Sequence, residues 1–286
     1  EARSANGYGG QRLLEMRRSG VGFAAIVGHD ERTTVSAELV SVLAVAADAR
    51  RPGYQAGITG AHDLRRSITL EGHASMWGIS GTSGAAMQFR TAATWTANDR
   101  WTMAGGVERE RLLDNITTID SRVMATGIFA GAEFQSPHTS VALRSSWQTL
   151  SDGNGRRRLS MSATRAISER LSHVRAVVWT ELIDYRRPSA IYFAPDAFLR
   201  VDGGAEYTHL FSQPRFRGDR MNQIVVGYLV GTDSRGAFYQ HPSLRLGWEV
   251  SESIALSLRG DVVRSRSYNE KSVVVSMHLI GGAFTR

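Results

Sequence analysis

The sequence predicts an all-β fold: a single transmembrane antiparallel β-barrel domain of about sixteen strands over residues 1–286. Three observations predict it. Hydrophobicity alternates with period two rather than 3.6. The alternating runs are ~10 residues long, the length a tilted strand needs to cross a bilayer. Short polar turns alternate with longer connections, the rhythm of bilayer-spanning barrels.

The strands follow in order. One is expected between Ala5 and Glu15, and another from Arg18 to a turn at Gly28–Arg32. Breaks at Arg50–Gly53, Asp63–Arg65 and Ser80–Gly84 separate the next three, including the run Ile68, Leu70, Gly72, Ala74, Met76. From Ala85, the set Met87, Phe89, Ala93, Trp95 alternates with Gln88, Arg90, Ala92, Thr94. After Ala97–Arg100 the pattern resumes with Trp101, Met103, Val107 against Thr102, Ala104, Glu108. Further breaks fall at Leu113–Thr118, Gln135–His138, Ser151–Gly155, Ser168–Arg170, Asp184–Asp196, Ser212–Arg220, Thr232–Arg235, Ser251–Ser253 and Arg264–Glu270. The last strand ends near Leu279 or at Phe284. That makes fifteen strands after Arg18 and sixteen in all, an even number that puts both ends on the short-turn, periplasmic side. Pro52, Pro137, Pro188, Pro195 and Pro214 are expected in connections and Pro242 at a strand start, because proline donates nothing to a ladder. Trp95, Trp101 and Trp248 flank short turns, as an interfacial aromatic girdle requires.

Composition narrows the alternatives. The 286 residues are 42% hydrophobic with a formal net charge of +7, so the chain is not disordered. Without cysteine it has no disulfide framework, thiolate metal site or cysteine nucleophile. Lys271 is its one lysine, and its arginines are scattered, unlike the basic blocks of nucleic-acid binders. No window reaches ~18 apolar residues, so no transmembrane helix is expected. The opening Glu-Ala-Arg-Ser-Ala-Asn-Gly lacks a signal segment, which suggests a piece of a longer chain.

If the apolar set on each strand faces lipid, the other set lines a lumen. That places Glu38, Glu71, Glu108, Glu110, Glu133, Glu181, Asp202, Glu206, Glu249 and Asp261 inside, with Arg90, Arg144, Arg158, Arg175, Arg200, Arg245 and Arg259. Ten acids against seven bases predict a mildly acidic lumen inside a basic shell, with Arg50, Arg51, Arg156, Arg157, Arg186, Arg187, Arg215 and Arg217 in connections facing solvent or lipopolysaccharide. A one-residue register slip would swap the faces of any strand, and the strands near Val40 and Val123 read either way. An acidic channel favours cations. The expected pore-lining, polymer-contacting residues are Glu108, Glu110, Glu181, Arg200, Asp202 and Glu206, with Trp77, Trp179 and Tyr192 as aromatic faces for sugar rings. The bland reading is that these charges pair across strands and the aromatics pack a loop into the mouth.

The stretch Ile191-Tyr192-Phe193-Ala194-Pro195-Asp196-Ala197-Phe198-Leu199 resembles an element in the C-terminal barrels of tetratricopeptide-linked outer-membrane exopolysaccharide exporters. Gly203-Gly204-Ala205-Glu206-Tyr207, Gly227-Tyr228 and Tyr239-Gln240-His241-Pro242 are similar to the hairpins that follow it there; Phe193 and Ala194 depart from the usual residues. The resemblance implies a sixteen-stranded barrel after a periplasmic helical repeat region, periplasmic export or modification partners, and secretion of a biofilm polysaccharide. With the acidic tally, it points to a cationic, partly deacetylated polymer of the Pel or poly-N-acetylglucosamine type rather than neutral cellulose. A diffusion porin fits the same strand count. An outer-membrane enzyme would need a nucleophile beside a base, and His73, His209, His241 and His278 have no partner that spacing compels. Asp152-Gly153-Asn154-Gly155 resembles half a calcium loop but reads as a turn. No cofactor is expected.

Overall fold

Alternation becomes strand almost everywhere. A computed structural model describes residues 2–6, 12–27, 32–46, 49–81, 85–113, 115–167, 173–211, 222–251, 254–265 and 269–279. Among them run β1 (Ala2–Asn6), β2 (Arg12–Val27), β3 (Thr33–Ala46), β4 (Ala49–Arg65), β5 (Ile68–Ile79), β6 (Ala86–Asn98) and β7 (Trp101–Arg111). A short helix α1 (Ile116–Asp120) precedes β8 (Met124–Gln135), β9 (Thr139–Leu150), β10 (Gly155–Ala166), β11 (Val174–Tyr185) and β12 (Phe198–Leu210). The chain continues through β13 (Gln223–Asp233), β14 (Phe238–Ser251), β15 (Ile254–Arg264) and β16 (Asn269–Leu279). Each strand pairs antiparallel with its sequence neighbours, and β1 also pairs with β16, closing the barrel. Connections after odd-numbered strands therefore share one end, and those after even-numbered strands share the other. The even end has turns as short as residues 66–67 and 99–100; the odd end carries residues 112–123 and 186–197. Ala2 and Leu279 both lie at the short-turn end.

The two faces differ as the alternation requires. Outward stand Val21, Phe23, Leu39, Ile58, Val107, Ile128, Val230 and Val275, all exposed. So continuous an apolar girdle marks a surface made to be covered. An 11-residue strand such as β7 tilted ~40° rises roughly 28 Å, close to the ~25 Å band of membrane barrels. At the short-turn rim Trp95, Trp101 and Trp248 point outward. Trp101 packs on Phe134 at 5.0 Å and Trp248 on Phe211 at 5.4 Å between ring centroids.

Several expectations need correction. The strand expected at Ala5–Glu15 is the end of β1 and the start of β2, with residues 7–11 outside those described. Arg50, Arg51 and Pro52 are not in a connection: β4 begins at Ala49, and Pro52 stands opposite Leu43. Pro242 is interior to β14 rather than at its start. It is tolerated because the β14–β15 ladder skips from Gln240–Arg264 to Ser243–Asp261, leaving a gap where the missing N–H would fall. The break at Leu113–Thr118 holds α1. The Ser212–Arg220 connection, Pro214 and Phe284 lie outside the described residues.

The helix is short for local reasons. Asn115 caps it: its side chain accepts from the Thr118 N–H at 2.9 Å, and Thr118 Oγ1 accepts from the Asn115 N–H at 3.2 Å. Arg122, at φ 52°, turns the chain out of the helix two residues after it ends. Ile119 drops to 0% exposure among Met16, Val42, Ala44, Trp77 and Ile79, all from inward positions on β2, β3 and β5. A second cluster joins Leu112, Val123, Ala125 and Leu150 to Tyr185 and Tyr192. The packed apolar core therefore sits in the mouth at the long-connection end, not along the barrel.

Candidate functional site in the barrel lumen

The lumen is built from inward residues whose register is set by the ladders. All ten acids and seven arginines assigned inward share the inward parity, because they pair with one another or with other inward residues, as Glu108 does with Arg90 and Arg175 with Glu206. Register also brings in Arg18, Arg51, Arg156, Asp233 and Glu270. Arg156 and Arg51 thus correct their assignment to exposed connections.

Glycines make room for the acids. Glu38 stands opposite Gly57, Glu108 opposite Gly127, Asp202 opposite Gly231 and Glu206 opposite Gly227. A Cβ on Gly231 would overlap the Asp202 carboxylate, and one on Gly57 would come within 2.9 Å of Glu38 Oε1. Two of these acids reach over their glycine to the strand beyond. Glu108 of β7 accepts from Arg144 at 2.7 Å and from Gln148 at 2.9 Å, both on β9. Glu206 of β12 accepts from Arg245 of β14 at 2.6 Å. Gly127→Ala should therefore destabilise the barrel by ~1–3 kcal/mol, since its Cβ would overlap the Trp147 carbonyl oxygen. Gly72→Ala, with nothing within 4 Å of its Cβ, should leave the denaturation midpoint in detergent unchanged.

The pairs extend into a network. Gln148 also donates to Glu110 at 3.2 Å and accepts from Arg156 Nε at 2.7 Å, while Arg156 bonds Glu110 directly. Arg158 pairs with Glu181 across β10 and β11. Arg200 grips Asp202 through two nitrogens and lies between the rings of Trp179, at 5.1 Å, and Tyr239, at 4.3 Å. Arg259 holds Asp261, whose other oxygen lies 3.7 Å from His241 Nε2. Among the described residues no hydroxyl hydrogen-bonds His241, so base and nucleophile are not joined there.

Inward acids still outnumber inward arginines, but pairing changes which of them are exposed. In two pairs the acid lies low and the guanidinium stands over it: Glu108 is 8% exposed against 43% for Arg144, and Glu206 23% against 48% for Arg245, whereas Glu110 is more exposed than Arg156. Passing groups therefore meet arginine first on these walls. Glu71 and Glu133 remain exposed on other strands.

Of the aromatics assigned to polymer contact, Trp179 is half-buried beneath Arg200. Trp77, 2% exposed, is under α1, and Tyr192, 4% exposed, is inside the second cluster. Neither presents a face to the lumen, so packing claims both. The Tyr192 hydroxyl donates to Asp152 at 2.7 Å and accepts from Asn154 Nδ2 at 3.0 Å, pinning the turn read from Asp152–Gly155. Burial, then the hydrogen bond to Asp152, raises this phenol's pKa above the ordinary tyrosine value. Because the folded value lies higher, the stabilisation is whole below about pH 10 and is lost as pH rises toward the folded pKa. A near-ultraviolet titration should show a delayed tyrosinate component that shrinks in Tyr192→Phe.

Sequence reasoning missed the elements that occupy the mouth. The Asn115 side chain, besides capping α1, donates to the Ile191 carbonyl at 2.7 Å and so links the 112–123 and 186–197 connections. Arg51 holds Asp120 through two nitrogens at 3.2 Å. The Asn115-x-x-Thr118 spacing was the available signal. Deeper in, Phe129, 5% exposed, carries Arg90 on its ring at 4.5 Å and Arg144 at 4.7 Å.

No protein-family model matches this chain, and no curated protein does. Solved structures do. A bacterial polysaccharide outer membrane secretin superposes with a TM-score of 0.71 at 13% identity, over 98% of this chain and 97% of that one. The likeness is one of fold. Pseudomonas aeruginosa OccK11 (OpdR) matches at 12% identity and a TM-score of 0.49, over 98% of this chain and 95% of that one.

Proposed function

We propose that this chain is the outer-membrane barrel of a polysaccharide exporter. The observation that carries the reading is the closed sixteen-stranded wall, apolar and exposed outside, charged and relieved by glycine inside. Such a wall spans lipid because every interior strand edge is paired. A barrel of this strand number encloses an aqueous path. The fold shared with a polysaccharide secretin supports the cargo class. In this reading the short-turn end faces the periplasm, where an upstream repeat region would meet export or modification proteins. The long-connection end faces outward, with Arg186 and Arg187 near lipopolysaccharide, and the cargo joins a biofilm matrix.

The test is a refolded barrel in a planar bilayer. An exporter gives channels that polysaccharide oligomers added from the short-turn side block for resolvable times. Passage of mono- and disaccharides without block by longer oligomers would favour a diffusion porin instead.

A further inference from the structure

The lumen wall between β5 and β10 holds a recess of about 420 Å³, within the size range of small-molecule sites. On its inward face Arg144 pairs with Glu108, Arg156 with Glu110 and Arg158 with Glu181 just outside the lining, so Arg90 leaves the recess one surplus positive charge. Arg90 is the telling member. Its register partner is Glu108, yet Glu108 turns across Gly127 to Arg144 and Gln148. Among the described residues no carboxylate lies within 4 Å of Arg90; its guanidinium is stacked on Phe129 instead. Stacking occupies the face of a guanidinium and leaves the N–H edge able to donate. Arg144 stacks on the same ring, and its side chain is 43% exposed. The ring thus supports two guanidiniums, one uncompensated and one shared with a sunken carboxylate.

Resting on the export reading, we propose that this recess is a subsite for an acidic sugar, a pyranose bearing a carboxylate that Arg90 and Arg144 hold. A planar fork of donors fits a carboxylate bidentately. The neutral side chains of Gln88, Ser146 and Ser160, also in the lining, suit sugar hydroxyls. A cationic amino sugar would meet the surplus charge of the recess as repulsion, and a neutral sugar would leave Arg90 without its partner.

The test uses the refolded barrel and three tetramers, of galacturonate, glucose and glucosamine, read by channel block and by equilibrium binding in detergent. The galacturonate tetramer should bind at least about tenfold more tightly than the others, as a charge-assisted bidentate contact requires, and Arg90→Gln should remove most of that difference. Equal binding of the glucose tetramer, or stronger binding of the glucosamine tetramer, overturns the proposal. So does equal competition by acetate at matched carboxylate concentration, which would mark a bare anion site. Comparing tetramers on the unmodified chain needs no variant to fold. A barrel that conducts but ignores all three sinks the subsite and spares the channel; one that neither inserts nor conducts sinks the export reading, and binding in detergent still decides the subsite.

Discussion

Ile119→Asp releases α1 from the mouth of the barrel. Ile119 is wholly buried, and of its neighbours Val42, Ala44, Trp77 and Ile79 only the Trp77 indole carries a donor and none carries a charge to match a carboxylate. The change removes ~1.5–3 kcal/mol of apolar burial and places a charge where an unpaired one costs several kcal/mol more. Against that stand a half-exposed Arg51–Asp120 pair, the Asn115–Ile191 hydrogen bond and the buried hydrogen bond from the Arg111 guanidinium to the Ile119 carbonyl, worth ~1–2 kcal/mol each. The closed form is also handicapped, since Trp77 Nε1 and Arg111 Nε are buried without partners among the described residues. The population of the released state should rise on the order of 100-fold or more. Trypsin should then cut after Arg122 in the folded barrel, and single-channel conductance should increase. Ile119→Val, which keeps the burial, should do neither. Unchanged protection of Arg122 in the aspartate variant would show that α1 is held by something other than this cluster.

Arg200→Met should lower stability by ~3–5 kcal/mol, the cost of leaving one member of a buried pair alone. Asp202 is 1% exposed and Arg200 11%. The Asp202 carboxylate is roofed by Arg200 and floored by Gly231, whose missing side chain is the space it occupies. Methionine would fill the slot between Trp179 and Tyr239 and abandon the charge. Adding Asp202→Asn should recover much of the loss, because the amide has no charge to strand. The readout is the denaturant midpoint of all three variants in detergent. If Arg200→Met alone unfolds like the parent, the pair is not a stability element.

The barrel was legible because a sheet with one apolar face writes its period directly into the chain: Met87, Phe89, Trp95 outside and Gln88, Arg90, Thr94 inside. Parity alone assigned every inward charge it attempted, since a strand offers only two choices. What it could not disclose was which strand's charge meets which. Glu110 and Arg156 lie 46 positions apart and bond directly within a network that reaches from β7 to β10. Nor could parity show that Glu108 and Glu206 sink beneath Arg144 and Arg245 by crossing the glycines opposite them. The mouth was illegible for another reason. Trp77, Ile79, Val42 and Ala44 are apolar on the inward face, against the rule for a wet lumen, and make sense only once Ile119 covers them.

The acid-over-glycine crossings have a consequence for anything moving along the lumen. A carboxylate lying across a glycine fills its groove, so the wall stands less tall there and its relief is shallow. The charged sites met on the way include Arg144, Arg158 and Arg245, each already partly satisfied by the acid at its base, Arg90, stacked on Phe129 instead, and the carboxylates of exposed Glu71 and Glu133 and half-exposed Glu110. A chain in transit would cross a corrugation of many small wells rather than one trap, holding at successive points firmly enough to keep direction and loosely enough to let go. The rate of sliding would then be set by the deepest of these wells, the one above Phe129, and every other glycine crossing would act to keep friction low.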